Sequence, residues 1–180
     1  MARPRRPLPP LDSADLERFA LRYVERYATT RARLADYLGR KIRERGWGGD
    51  APPDPAALAQ RLADLGYVDD RAFAEARASA MGRRGLGARR VAAALRIAGV
   101  ESADAAALAP EVEARAASSA LAFARRRRIG PFAPAAADRA QRERQLAAML
   151  RAGHPPDLAR AIVRMRPGED VDFLTVSEWD

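Results

Sequence analysis

The chain contains no cysteine and a single histidine, His154. It therefore forms no disulfide bond and has no thiolate metal site, and one histidine alone does not hold a metal ion or complete a nucleophilic triad. No stretch is apolar over the length that crosses a membrane, and the N-terminus lacks the apolar segment of a signal peptide. We expect a cytoplasmic protein without a membrane segment, a metal or another cofactor.

Aromatic and β-branched residues are also scarce. Aromatics make up 6% of the 180 residues, and much of the 48% hydrophobic content is alanine. Alanine favours helix and buries little area, whereas the residues typical of strands are sparse. The composition predicts an all-α fold held together by thin apolar seams between closely packed helices.

Lysine is nearly absent as well: Lys41 stands alone beside 31 arginines, and the net charge is +8. The last twelve residues, 169–180, carry five carboxylate side chains and no basic side chain, so residues 1–168 carry a net charge of +13. A body this basic predicts an acidic partner, such as nucleic acid, an acidic protein surface or an anionic membrane.

Apolar periodicity and cap residues predict nine helices in three sets of three, including one long helix from Pro110 to Arg128. The predicted parts are a disordered basic N-terminus (1–12), a first three-helix module (13–66, with a loop at 47–53), a second (67–110), a third (111–166) and an acidic C-terminal tail (167–180).

An internal repeat supports the three modules. Gly46, Gly99 and Gly153 each end the middle helix of a set and lie 53 and 54 residues apart. Each middle helix carries two apolar residues four positions apart, which predicts a buried seam. These pairs are Leu34/Leu38, Val91/Leu95 and Leu146/Leu150. The further residues predicted to be core are Leu58, Leu62, Leu65 and Phe73.

Three features could suggest chemistry, and each has a simpler interpretation. Asp69 and Asp70, with Glu75, could hold a metal ion of a small nuclease, but they are better explained as a cap and first-turn carboxylates of a helix. The glycines of 82–87 lack the lysine of a phosphate-binding loop and predict a tight turn between helices. His154 stands between a helix-ending glycine and two prolines, and this position predicts that it is a surface loop residue.

Clustered arginines are the strongest functional signal. The predicted partner-binding residues are Arg83, Arg84, Arg89, Arg90, Arg125, Arg126, Arg127, Arg128, Arg139, Arg142 and Arg144. Phe123 and Phe132 are the nearby rings, too few for a base-stacking surface. Contact with phosphates or carboxylates is therefore favoured over the reading of bases.

The region from 65 to 100 resembles the RecX family of bacterial regulatory proteins. The likeness is carried by Leu-Gly-Tyr-Val-Asp-Asp-Arg-Ala-Phe-Ala-Glu at 65–75, by Arg-Arg-Gly-Leu-Gly-Ala-Arg-Arg-Val at 83–91, and by Leu95 and Gly99-Val100. Flanking pieces at 30–34 and 144–154 agree with it. The resemblance implies three tandem three-helix repeats in an elongated, curved helical protein.

The resemblance further implies a regulator and not an enzyme. Members of the family bind the RecA recombinase filament on single-stranded DNA and restrain it, with roles in homologous recombination, DNA repair and the SOS response. We therefore expect a monomeric protein that binds the RecA filament, and single- or double-stranded DNA as a further partner. Filament capping and coating of the filament groove both remain open. The alternative is a helical module that binds nucleic acid directly.

Overall fold

In a computed structural model, residues 9–172 and residue 174 are described, and their regular structure is helical, which confirms the all-α prediction. The helices are α1 (Ser13–Arg26), α2 (Arg31–Arg45), α3 (Pro55–Asp64), α4 (Asp70–Arg83), α5 (Ala88–Ile97), α6 (Ser102–Ala107), α7 (Ala109–Ala114), α8 (Ala116–Arg127), α9 (Arg139–Arg151) and α10 (Pro156–Arg164), with a 3-10 turn at Gly130–Phe132. No helix among the described residues is long and apolar enough to cross a membrane.

Side-chain caps fix where several helices begin. Asp12, Thr30 and Asp54 precede α1, α2 and α3, and each accepts a hydrogen bond from the backbone N–H three residues on, at 2.7, 3.2 and 2.9 Å. Asp138 and Gln141 form a reciprocal capping box at α9. These bonds satisfy amide groups that would otherwise lack a partner in the first helical turn.

The three glycines of the repeat end their helices as predicted. Gly46, Gly99 and Gly153 have φ values of +81°, +72° and +93°. Residues with a Cβ rarely adopt such positive φ values. The left-handed residue stops the helix and redirects the chain. The spacing seen in the sequence therefore reflects a recurring backbone conformation.

The single long helix predicted from Pro110 to Arg128 is wrong, because the chain breaks at Arg115 into α7 and α8. Neither glycine nor proline stands at the break, so no local signal marks it. The reason lies in packing: α7 packs on α5, whereas α8 packs on α9 and α10.

By its internal contacts the chain divides into two compact units. Unit 1 comprises Met1–Phe73 with Ala98–Val100, and its α2 packs on both α1 and α3. Its fully buried leucines include Leu11, Leu34, Leu38 and Leu62. The disorder predicted for residues 1–12 is wrong at Leu11, because Leu11 is buried and forms backbone hydrogen bonds with Gly46 and Gly48.

Leu65 corrects the predicted core, because its side chain is 65% exposed. The helix α3 ends at Asp64, and Leu65 follows it with a non-helical backbone, φ −84° and ψ 0°. Helical periodicity no longer decides which way its side chain points. Leu58, by contrast, packs against the core of unit 1 as predicted.

Unit 2 comprises Ala74–Ile97 with Glu101–Asp180, and α10 lies at its centre against α8, α9 and the 3-10 turn. Met149 and Ile162 are fully buried there, while the predicted pair Leu146/Leu150 is half-buried. Leu174, in the predicted tail, is 1% exposed and belongs to this core. Residues 1–8, 173 and 175–180 lie outside the described residues. The boundaries of the three modules stay a prediction.

Candidate functional site

The basic turn, residues 83–90, joins α4 to α5 and carries four exposed arginines. Gly85 has φ +68°, and the N–H of Leu86 donates to the Met81 carbonyl at 3.0 Å, so the chain reverses tightly after α4. Arg89 and Arg90 lie in the first turn of α5, where the helix dipole disfavours positive charge by about 0.3–1 kcal/mol. Helix stability therefore does not account for these two arginines.

The loop after α9 holds the basic turn in place through close backbone contact. The N–H of Gly87 donates to the Ala152 carbonyl at 2.9 Å, and the N–H of Arg89 donates to the Gly153 carbonyl at 3.3 Å. A Cβ on Gly87 would overlap the Gly153 carbonyl group and lie 2.6 Å from the backbone nitrogen of His154. Only a residue without a side chain lets the two backbones approach this closely.

His154 is fully buried in unit 2, so the prediction of a surface loop residue is wrong. Its Nε2 lies 3.1 Å from the Gly85 carbonyl oxygen, and because that oxygen can only accept, Nε2 carries the proton. Phe123 packs edge-on against the ring at 5.4 Å. Burial lowers the pKa of His154 below its ordinary 6.5, while the hydrogen bond to Gly85 raises it in part.

The basic end of α8 packs against the same turn. The Ser119 hydroxyl donates to the Leu86 carbonyl at 3.2 Å, and the Arg126 side chain lies against Gly85. Arg83, Arg125 and Arg126 consequently line one surface groove. Two arginine clusters that are separate in sequence thus meet at this surface.

Arg128 and Arg144 line a second depression, beside the loop that precedes α9. Arg128 ends α8 with φ +53°, the only non-glycine residue with a positive φ among the described residues. Glycine is the usual residue at such a helix end, and a side chain there costs about 1 kcal/mol or more. The chain keeps an arginine at a position where stability favours glycine.

All eleven predicted arginines are exposed. Among the described residues, only Arg139 of the eleven forms a salt bridge, with Glu143 at 3.1 Å. Arg125 lies over the Phe132 ring at 4.7 Å, and Arg127 over Phe123 at 5.8 Å. No described contact joins Arg84, Arg90 or Arg142 to another predicted arginine. Unit 2 therefore presents a largely unneutralised positive surface.

The aspartates that could have suggested a nuclease have structural partners. Asp69 accepts from the Ala72 N–H at 2.8 Å and caps α4. Asp70, 7% exposed, accepts from the backbone N–H of Arg31 at 2.9 Å and from its Nε at 3.3 Å. The carboxylate thus satisfies the first amide of α2 from outside that helix. No group of three or more potential metal ligands occurs in the part of the chain that the structure describes.

Comparison with known proteins decides the family. The chain is 31% identical over 160 residues to the regulatory protein RecX of Myxococcus xanthus (strain DK1622), covering 84% of this chain and 86% of that protein. The chain belongs to the RecX family. No protein-family model matches it. It is accordingly a regulatory protein of the RecX family, and the resemblance carried by residues 65–100 is confirmed.

Sequence reasoning missed a second basic surface of this RecX-family chain, in unit 1. Tyr23, Tyr27 and Tyr37 come together between α1 and α2, with Arg26 and Arg40 against their rings. These tyrosines lie outside residues 83–144, which contain the arginine runs that drew attention in the sequence. The four-residue spacing of Tyr23 and Tyr27, which puts both rings on one face of α1, is the signal that could have found the surface.

Proposed function

We propose that this chain binds the RecA recombinase filament on single-stranded DNA and lowers its ATPase and recombination activity. The proposal is supported above all by the eleven predicted arginines of unit 2, in a chain of the RecX family. All eleven are exposed, and among the described residues only Arg139 of them forms a salt bridge. Guanidinium groups that no internal carboxylate neutralises are available to the carboxylates and phosphates of a partner.

The basic turn and the end of α8 supply the contacts in this proposal. Arg83, Arg125 and Arg126 share one groove, and Arg89 and Arg90 stand where helix stability disfavours them. Charges at the edge of an interface mainly raise the rate of association and make it sensitive to salt. Inhibition of the filament should therefore weaken as the salt concentration rises.

The decisive experiment is the ATPase activity of RecA on single-stranded DNA, measured over a broad range of concentrations of this protein. We expect the activity to fall as the protein is added. A flat response would overturn the proposal.

A charge reversal tests the assignment of the surface. Arg89→Glu/Arg90→Glu should remove most of the inhibition. The matched control is Arg164→Glu/Arg166→Glu, which changes the net charge equally at two exposed arginines outside the proposed surface. Inhibition that survives the first pair, or that is lost equally with both pairs, would contradict the placement of the contacts.

A helical module that binds nucleic acid directly is the second candidate, supported by the basic composition. The two functions differ in their need for the recombinase. Under the first, affinity for naked DNA is modest and falls steeply with salt. Tight binding of DNA without recombinase, together with a flat ATPase response, would favour the second.

A further inference from the structure

Three tyrosine rings form a short ladder on the surface between α1 and α2 of unit 1. Tyr23 and Tyr37 stack with their centroids 4.2 Å apart and their planes inclined by 23°. Tyr27 lies 5.2 Å from Tyr23, at a tilt of 50°. Tyr23 and Tyr37 are half-buried against the core, whereas Tyr27 is 48% exposed. The ladder therefore ends in a ring with an accessible face.

Four cationic side chains surround this ladder. Arg26 lies over the Tyr27 ring at 5.5 Å, and Arg40 and Lys41 lie over Tyr37 at 5.6 and 5.8 Å. With Arg22 they line a groove of about 510 Å³, here named the tyrosine groove. Its lining residues are Phe19, Arg22, Tyr23, Arg26, Tyr27, Tyr37, Arg40 and Lys41.

One carboxylate offsets part of this charge. Glu44 binds Lys41 at 2.7 Å and lies 3.8 Å from Arg40. Among the described residues, Arg22 and Arg26 form no salt bridge. The four cations and Glu44 together leave a net charge of +3 at the groove.

The positive surface continues past the groove. Phe19 and Arg22 also line a neighbouring depression that contains Arg18 and Arg45. Asp15 binds Arg18 there, and Arg45 donates to the Pro9 carbonyl at 2.6 Å. A ligand that extends from one depression into the next would meet further positive charge.

We propose that the tyrosine groove is a binding site for single-stranded nucleic acid. A base stacks on the exposed face of Tyr27, and the adjoining phosphates bind Arg22, Arg26 and Arg40. Flat rings beside an excess of positive charge match a ligand that alternates flat bases with negative charges. An acidic peptide would use the cations but not the ring, and a duplex keeps its base faces inside its own stack.

This site goes beyond the proposed function, because it lies in unit 1 and needs no recombinase. In this proposal the Tyr27 ring contacts the base, and the cations contribute the salt-dependent part of the binding free energy. The two contributions are therefore separable by mutation.

Binding is measured by fluorescence anisotropy with labelled oligothymidylate and with an abasic oligonucleotide of the same length, without recombinase. Tyr27→Leu should weaken oligothymidylate binding about tenfold, as expected for the loss of one stacked base, and leave abasic binding unchanged. Tyr27→Trp should retain the affinity for oligothymidylate. Tyr67→Leu is the matched control, since Tyr67 is a 56% exposed tyrosine of unit 1 that does not line the groove.

Salt dependence tests the cations. Arg26→Gln should weaken binding of both oligonucleotides and lower the slope of log affinity against log salt by about 0.7, the value for one phosphate contact on a single strand. Far-UV circular dichroism of each variant checks that the helical content is retained.

The proposal fails if Tyr27→Leu binds oligothymidylate as the wild type does, or if it loses both oligonucleotides equally. It also fails if poly-glutamate or duplex DNA displaces the probe as effectively as unlabelled oligothymidylate. These results are independent of the ATPase assay: a flat ATPase response with intact dependence on Tyr27 refutes the proposed function alone, and inhibition without that dependence refutes this site alone.

Discussion

The contact between the basic turn and the loop after α9 predicts that Gly87→Ala is strongly destabilising. The added methyl group would overlap the Gly153 carbonyl group and lie 2.6 Å from the backbone nitrogen of His154. Ordinary contacts of a Cβ begin near 3.4 Å. Both neighbours are backbone atoms, so rotation of a side chain does not relieve the overlap.

The size of the effect follows from two terms. Forcing a methyl group into a packed contact costs about 1–3 kcal/mol. Separating the two segments also weakens the hydrogen bonds from Gly87 to Ala152 and from Arg89 to Gly153, each of which contributes about 1 kcal/mol. Replacing glycine lowers the entropy of the unfolded chain and returns about 0.4–1 kcal/mol. We expect a net loss of about 3 kcal/mol in the free energy of unfolding.

Gly82→Ala is the matched control, five positions away on α4. A Cβ there meets nothing within 4 Å, and Gly82 has an ordinary helical backbone. The same substitution should therefore stabilise the protein, by about 0.5–1 kcal/mol, because alanine favours helix over glycine. The same glycine-to-alanine change should therefore destabilise the protein at position 87 and stabilise it at position 82.

Urea unfolding followed by far-UV circular dichroism measures both effects, and hydrogen exchange of the Arg89 amide reports on the contact itself. Gly87→Ala should lower the urea midpoint and speed exchange at Arg89. An unchanged midpoint with a protected Arg89 amide would refute the close approach of these backbones. Under the proposed function, inhibition of RecA should also weaken with this variant, because the basic turn loses its support.

The remaining predictions use the same unfolding assay. Asp70→Ala should lower the free energy of unfolding by about 2–3 kcal/mol, because the buried carboxylate of Asp70 accepts two hydrogen bonds from Arg31. Asp69→Ala should lower it by about 1 kcal/mol, because only an exposed helix cap is lost, and equal losses would contradict this. Because the pKa of His154 is lowered in the native state, folding favours the neutral imidazole, so the contribution of His154 to stability is complete above pH 6.5 and declines as the pH falls below it, by at most about 1.4 kcal/mol per pH unit. The free energy of unfolding of His154→Gln should therefore depend less on pH below 6.5 than that of the wild type, and parallel pH profiles of the two proteins would contradict this. Arg128→Gly should gain about 1 kcal/mol by relieving the left-handed backbone, and a lower midpoint would show that the arginine stabilises its own turn.

Local rules account for what the sequence predicted well. Asp12, Thr30 and Asp54 cap their helices because a short polar side chain reaches an amide three residues away, whatever the rest of the chain does. Gly46 and Gly153 end helices because their backbone conformation suits glycine. The apolar pairs of α2 and α5 follow helical periodicity into the core. The RecX family was likewise evident from a run of neighbouring residues, 65–100.

Contacts between distant parts of the chain explain what local rules missed. His154 looked like a loop residue on the surface, yet a carbonyl group 69 positions away in sequence and the Phe123 ring enclose it. Leu65 is exposed because α3 ends at Asp64, one residue before it. The break at Arg115 depends on which helices α7 and α8 pack against, and neither glycine nor proline stands there to mark it in the sequence.

The sequence by itself determined the helical class, most helix ends, the family and the positive charge of the body, because each depends on composition or on residues within a few positions. Only the tertiary structure decided which arginines meet and that the tyrosines of α1 and α2 come together beside cationic side chains. It also showed that Gly87 and Gly153 must both lack a side chain. These features depend on distances between side chains and backbones far apart in sequence, which packing sets and periodicity does not encode.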